Sequence, residues 1–174
     1  MRTVNLHWSY PWPVKELYHR FKPDDCYKNP IPEMTTYGVY MYLDDQTGKA
    51  RYIGQAFNTK SSPIQHRVRW EIVKDGSSGT ESAFYQLCKE HDVDKFRLLL
   101  KVAHLFDPKI DGATTIVDDR FMNAVERALI FERASIGDPL MNKTGKTRYR
   151  LGPIEIINKG DFSPFLSKII LNNT

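Results

Sequence analysis

The sequence predicts a small α/β sandwich with a largely antiparallel sheet. Three observations predict it. Residues 37–43 (Tyr-Gly-Val-Tyr-Met-Tyr-Leu) and 50–55 are runs of strand formers separated by Asp-Asp-Gln-Thr-Gly, which is turn chemistry, so the pair reads as a β-hairpin. Apolar residues then recur at helical spacing in two short segments and one long one. Between them, Leu98-Leu99-Leu100 with Val102 forms an apolar run of strand length. The order is hairpin, helix, helix, strand, long helix, which places sequence-adjacent strands among helices.

Each element has its own local reason. Residues 1–36 carry Pro11, Pro13, Pro23, Pro30 and Pro32 and many aromatics. Proline fixes φ and removes backbone donors, so long regular elements are not expected there. One short helix is expected over 14–21, and the segment should wrap over the core as an extension. Trp8, Tyr10 and Trp12 are read as packing against the domain, with base stacking as the alternative. Residues 57–62 belong to a loop, and Pro63 suits a helix start. Ile64, Val68, Ile72 and Val73 make 63–74 a helix with one buried face. After the break Asp75-Gly76-Ser77-Ser78-Gly79, residues 81–91 read as a helix with Phe84, Leu87 and Cys88 on its apolar face. Residues 96–106 read as a buried strand and 108–114 as a turn-rich loop. The longest helix spans 118–135, capped by Asp118 or Asp119, with a core stripe of Val125, Leu129 and Ile136 widened by Ala124, Ala128 and Ile130. Gly137-Asp138-Pro139 ends it. The tail has a short strand near 154–157 and a helix expected over 163–171.

Bulk properties narrow the function classes. A chain of 174 residues suits one domain. With 41% hydrophobic and 26% charged residues, a packed core is expected and wholesale disorder is not. Lys+Arg number 25 against 21 Asp+Glu, a formal net charge of +4, and the pI is about 9.0. That balance permits a polyanionic partner without requiring one. Two cysteines, Cys26 and Cys88, are too few for a disulfide framework. Cys88 and His91 have a metal-ligand spacing, but no second Cys/His pair lies near enough to complete a tetrahedral zinc site. No apolar stretch suits a signal peptide or a membrane span, so a soluble, cytoplasmic protein is expected.

Common catalytic motifs are missing. Gly145-Lys146-Thr147 resembles the end of a phosphate-binding loop, but Leu140 stands where that motif needs its first glycine. There is no Gly-x-Ser-x-Gly elbow and no His-Glu-x-x-His. What remains is spread along the chain. Gly38-Val39-Tyr40 lies on the first hairpin strand and Tyr52-Ile53-Gly54 on the second. Arg67 lies on the next helix, Glu126 on the long helix, and Asn142 just beyond it.

This ordered set resembles the GIY-YIG nuclease family over about residues 37–143. The resemblance implies a three-stranded antiparallel sheet flanked by helices, with 1–36 as an N-terminal extension, 37–143 as the nuclease core and 144–174 as a basic tail of the same domain. It implies divalent-metal-dependent hydrolysis of DNA phosphodiester bonds, with Mg²⁺ or Mn²⁺ as cofactor. Tyr40 would orient or deprotonate the attacking water. An unperturbed tyrosine has a pKa near 10, so it needs a nearby cation to do so at neutral pH. Arg67 is a suitable neighbour, because it stays charged and its planar fork matches phosphate oxygens. Tyr52 would donate a hydrogen bond or share in activating the water. Glu126 would hold the metal, with substrate phosphate and waters completing the shell. Asn142 would help fix the site or contact the DNA backbone.

The chain departs from the family pattern in two places. Glu71 stands four residues after Arg67, where the family often carries histidine or tyrosine; it could pair with Arg67 or serve as a second metal ligand. The stretch from Glu126 to Pro139 is about one turn longer than usual, which makes Glu132 a reserve metal ligand. With no room for a separate DNA-binding domain, the recognition surface falls to residues 1–36, to 107–118, and to basic residues including Arg69, Lys143, Lys146, Arg148 and Arg150. A compact chain of this kind resembles a small type II restriction endonuclease acting on double-stranded DNA as a homodimer. The competing classes are a nucleic-acid-binding protein without catalysis and a repair or mobile-element nuclease. If it is a nuclease, Tyr40, Tyr52, Arg67 and Glu126 must converge.

Overall fold

Sequence expectation and structure part company at the first strand. The structure, a computed structural model, describes residues 1–57, 63–105, 119–146 and 152–172. In it β1 (Arg2–Trp8) is an interior strand, not part of a wrapped extension. The proline argument applies from Pro11 onward and does not reach residues 2–8, where Val4, Leu6 and Trp8 alternate into the core. The short β2 (Trp12–Pro13) follows, then α1 (Val14–Phe21), which is the helix expected there.

The hairpin is β3 (Gly38–Asp44) and β4 (Ala50–Ala56), and β5 is Leu98–Leu105. Between β4 and β5 lie α2 (Pro63–Val73) and α3 (Ala83–Glu90), and after β5 comes α4 (Asp119–Ile136). Gly137, with φ of +94°, ends α4 in the left-handed conformation that glycine adopts freely. The chain then adds β6 (Ile154–Gly160) and β7 (Lys168–Leu171).

The expected three-stranded antiparallel sheet is incorrect. Among the described residues the sheet has seven strands, in the order β4-β3-β5-β1-β6-β7 with β2 also pairing β5. It is mixed, because β1 and β6 run parallel while the other pairs are antiparallel. The three expected strands do sit side by side as β4-β3-β5. A sheet of only those three would leave the far edge of β5 open; β1 and β2 occupy it, with Leu6 opposite Leu105 and Trp12 opposite Leu100. The helix expected over 163–171 is also incorrect. Lys168-Ile169-Ile170-Leu171 is an edge strand with Ile169 buried and Lys168 and Ile170 exposed, the period of two that β-branched residues favour.

The sheet is covered on both faces. Val39, Met41, Leu43 and Ile53 pack with Val125, Ala128 and Leu129 of α4. On the opposite face Tyr40, Tyr42, Leu100 and Val102 pack with Leu17 of α1, Val68 and Ile72 of α2 and Phe84 of α3. Strand β3 is therefore buried on both sides, and its two tyrosines lie inside the protein.

The exposed side of edge strand β4 is closed by the chain that follows α4. Ala50 N donates to Asp138 Oδ2 (2.9 Å) and Met141 N donates to Arg51 O (2.6 Å). Ile53 N donates to Asn142 Oδ1 (3.0 Å), and Asn142 Nδ2 donates to Ile53 O (2.7 Å).

Candidate active site

A buried carboxylate lies at the centre of the candidate site. Glu71, on the last turns of α2, is 3% exposed. The Tyr40 hydroxyl donates to its Oε1 at 2.6 Å and the Tyr42 hydroxyl to its Oε2 at 2.9 Å. Tyr40 and Tyr42 are two apart on β3 and so project from the same face. Arg67, one turn before Glu71, brings Nε to 3.5 Å from Oε1. Its charge also acts on the Tyr40 and Tyr52 phenols, opposing the effect of burial on both. Phe84 of α3 stacks on Tyr42 (ring centroids 4.3 Å apart) and meets Tyr52 edge-on at 5.4 Å.

The electrostatics of the cluster follow from its burial. Burial pushes the Glu71 carboxyl up to about 7, against the lowering effect of the Tyr40 and Tyr42 hydrogen bonds and the Arg67 charge. Burial first, and Glu71 second, hold Tyr40 and Tyr42 well above the ordinary phenol value. Tyr52 is raised by burial, then by Glu71 and Glu126, with Arg67 opposing. Glu126 reaches the cluster from α4; its carboxyl is pushed up to about 7 by burial, and the charges of Arg67 and Arg127 oppose that.

Tyr40, Tyr52, Arg67 and Glu126 therefore form one electrostatically coupled group, drawn from β3, β4, α2 and α4. Tyr40 is a hydrogen-bond donor here with its proton committed to Glu71, which differs from a phenol poised by a cation alone. Glu71 pairs with Arg67, one of the two roles considered for it. With both oxygens engaged by phenols, it is less suited to bind metal than Glu126.

The remaining site candidates fall elsewhere. Asn142 is buried and spends its amide on both backbone groups of Ile53, which makes it a support for β4. Arg69 is engaged at the end of α1: its Nε donates to Phe21 O (2.8 Å) and its Nη2 donates to Asp24 Oδ1 (3.2 Å). Lys143 is exposed and 3.8 Å from Glu90 Oε2, and Lys146 Nζ donates to Leu140 O. Arg148 and Arg150, the segment 107–118, the Asp118 cap and all of the loop 57–62 but Phe57 lie outside the described residues. Glu132 is buried 3.7 Å from Arg133 and is not among the groups that act on Glu71 or Glu126, so it drops out as a reserve ligand. Six residues on from Glu126, it also projects in a different direction. Trp8 is core: its Nε1 donates to Asn158 Oδ1 (2.8 Å) and its ring meets Phe165.

Sequence reasoning missed Tyr42 and Phe84 as members of the cluster. The signal for Tyr42 was present in the Tyr-x-Tyr alternation of β3, which puts both phenols on one face. Phe84 gave no signal beyond helical periodicity.

No family model matches the chain, and no curated protein and no solved structure matches it either. Among the described residues no three His, Cys, Asp or Glu side chains gather into a metal cage, and no helix is long and apolar enough to cross a membrane.

Proposed function

We propose that the chain is a divalent-metal-dependent endonuclease of the GIY-YIG type, hydrolysing phosphodiester bonds of double-stranded DNA with the compact build of a type II restriction enzyme. One observation carries this reading. Tyr40, Tyr52, Arg67 and Glu126 are separated by up to 86 residues in sequence, yet interact as one group. A chance set of packing tyrosines and solvated charges has no reason to converge in this way.

Arg67 supplies a fixed positive fork on a half-exposed side chain, suited to two phosphate oxygens. Tyr52 lies near enough for that charge to act on its phenol. Glu126 is a single carboxylate on which, among the described residues, the charges of Arg67 and Arg127 act; a lone carboxylate fits Mg²⁺ or Mn²⁺ completed by phosphate oxygens and water. When bound there, the ion supplies charge neutralisation at the phosphate and the leaving oxygen. Exposed Lys143 is a candidate for backbone contacts. Cutting both strands with one site per chain points to a homodimer.

The test is plasmid cleavage by purified protein with Mg²⁺, alongside Arg67→Ala and Glu126→Ala. Discrete fragments from the wild type, with both variants slowed at least about 100-fold, are expected. Retardation of DNA without cleavage, unchanged in both variants, would instead make this a binding protein.

A further inference from the structure

We propose that Glu71 is the proton acceptor of the hydrolysis: it takes the Tyr40 hydroxyl proton as Tyr40 takes one from the attacking water. The inference rests on the nuclease reading above. Glu71 stands where that family often carries histidine or tyrosine, and its contacts define its role here.

Tyr40 cannot act as a base by losing its proton to solvent. A phenolate would then lie 2.6 Å from an ionised carboxylate, two buried charges of one sign. Passing the proton along the existing hydrogen bond to Glu71 Oε1 avoids this, because the pair carries one negative charge before and after. The geometry for the transfer is already built. Tyr42 holds Oε2 at 2.9 Å and orients the carboxylate, and Arg67 Nε at 3.5 Å offsets the shared charge.

The step balances. An O–H bond of water breaks and its proton goes to Tyr40, whose own proton goes to Glu71. The hydroxide oxygen bonds to phosphorus. The phosphorus–oxygen ester bond breaks with its electron pair on the leaving oxygen, which takes a proton from solvent. Glu71 then returns its proton to solvent by the same route.

The groups that face Glu71 are Tyr40 and Tyr42 from β3, Tyr52 from β4, Arg67 from its own helix, Cys88 from α3 and, more distantly, Glu126 from α4. Burial sets the Glu71 carboxyl near 7, so it is ionised and able to accept a proton above that pH. Cleavage rates are measured against pH at saturating Mg²⁺ for the wild type, Glu71→Gln, Tyr40→Phe and the double variant. Each single variant should lose about 100-fold or more and lack the acid limb near pH 7. The double variant should be no slower than either single, since both remove one relay. DNA retardation should change less than twofold. A Glu71→Gln enzyme that keeps its rate or its acid limb overturns the proposal, as do losses that multiply in the double variant.

If Glu71→Gln does not fold, a proton inventory on the wild type decides. Two protons in flight bend the plot of rate against deuterium fraction, and a straight line overturns the relay. Wild-type protein that cuts no DNA with Mg²⁺ or Mn²⁺ overturns the nuclease reading along with it, whereas cleavage that ignores Glu71 overturns the relay alone.

Discussion

The Tyr40 hydroxyl occupies the space that a side chain on Gly54 would need. The two residues are direct partners across β3 and β4, and a Cβ on Gly54 would stand 2.4 Å from the Tyr40 hydroxyl. The glycine of Tyr-Ile-Gly is thus the seat of the Tyr40 ring, as glycine often is where an aromatic lies across it in a sheet. Gly38 has a separate reason: a Cβ there would stand 2.2 Å from the Ala103 carbonyl of β5.

Gly54→Ala should therefore push Tyr40 off Glu71. We expect a stability loss of about 1–3 kcal/mol from overpacking, measured by denaturant unfolding, and a fall in cleavage well beyond what that loss explains. Gly38→Ala should destabilise by a similar amount with cleavage falling only as the folded fraction falls. Equal effects of the two on activity would detach Tyr40 from the chemistry.

Asn142→Ala should orphan the N–H and the carbonyl of Ile53. About 1–3 kcal/mol of stability should go, with the cleavage rate of the protein that remains folded within about threefold of wild type. A loss as deep as that of Arg67→Ala in a fully folded variant would return Asn142 to the catalytic set.

Arg69→Ala and Lys143→Ala should separate structure from DNA binding. Arg69 serves the end of α1, so its loss should lower stability by about 1 kcal/mol and leave DNA affinity unchanged. Lys143 is exposed, so its loss should leave stability unchanged and reduce the salt dependence of DNA binding. Binding titrations at several salt concentrations and thermal melts together check this, and a steeper affinity loss for Arg69→Ala than for Lys143→Ala would contradict it.

The carboxyls of Glu71 and Glu126 predict how stability depends on pH. Both are raised from 4.5 to about 7, so between those values the folded chain holds protons that the unfolded chain has released. Their contribution is complete below about pH 4.5 and is lost as pH rises through 7. Asp44 and Asp75 are lowered, and their contribution is lost only as pH falls below their ordinary range. In EDTA the melting temperature should fall from pH 5 to pH 8. Glu126→Gln should flatten that fall and melt above the wild type at pH 8, by about 2–4 °C for each kcal/mol recovered. Parallel curves for variant and wild type would show that Glu126 is not desolvated in the fold.

The elements with strong local periodicity were legible. The hairpin, α2, α3, α4 and β5 all fall within a few residues of where alternation and helical spacing put them. So were four members of the cluster, because Tyr40, Tyr52, Arg67 and Glu126 follow one another in the order the family resemblance implies, whereas Tyr42 and Phe84 were not read as members. Their roles were less legible. Arg69 looks like a solvated cation beside Arg67, and only its distance to the Phe21 carbonyl, 48 residues away, makes it a cap.

By itself the sequence determined which segments are helix or strand through most of the chain, and that its two motif glycines lie on adjacent hairpin strands. Only the tertiary structure decided that β1 enters the sheet between β5 and β6, pairing segments about 100 and 150 residues away. Periodicity reports which face of a segment is buried, but not which open strand edge will satisfy its backbone. The same holds for Glu71. Its spacing from Arg67 is written in the sequence, whereas its two phenol partners come from a strand 29 to 31 residues earlier, brought to it by the packing of α2 on β3.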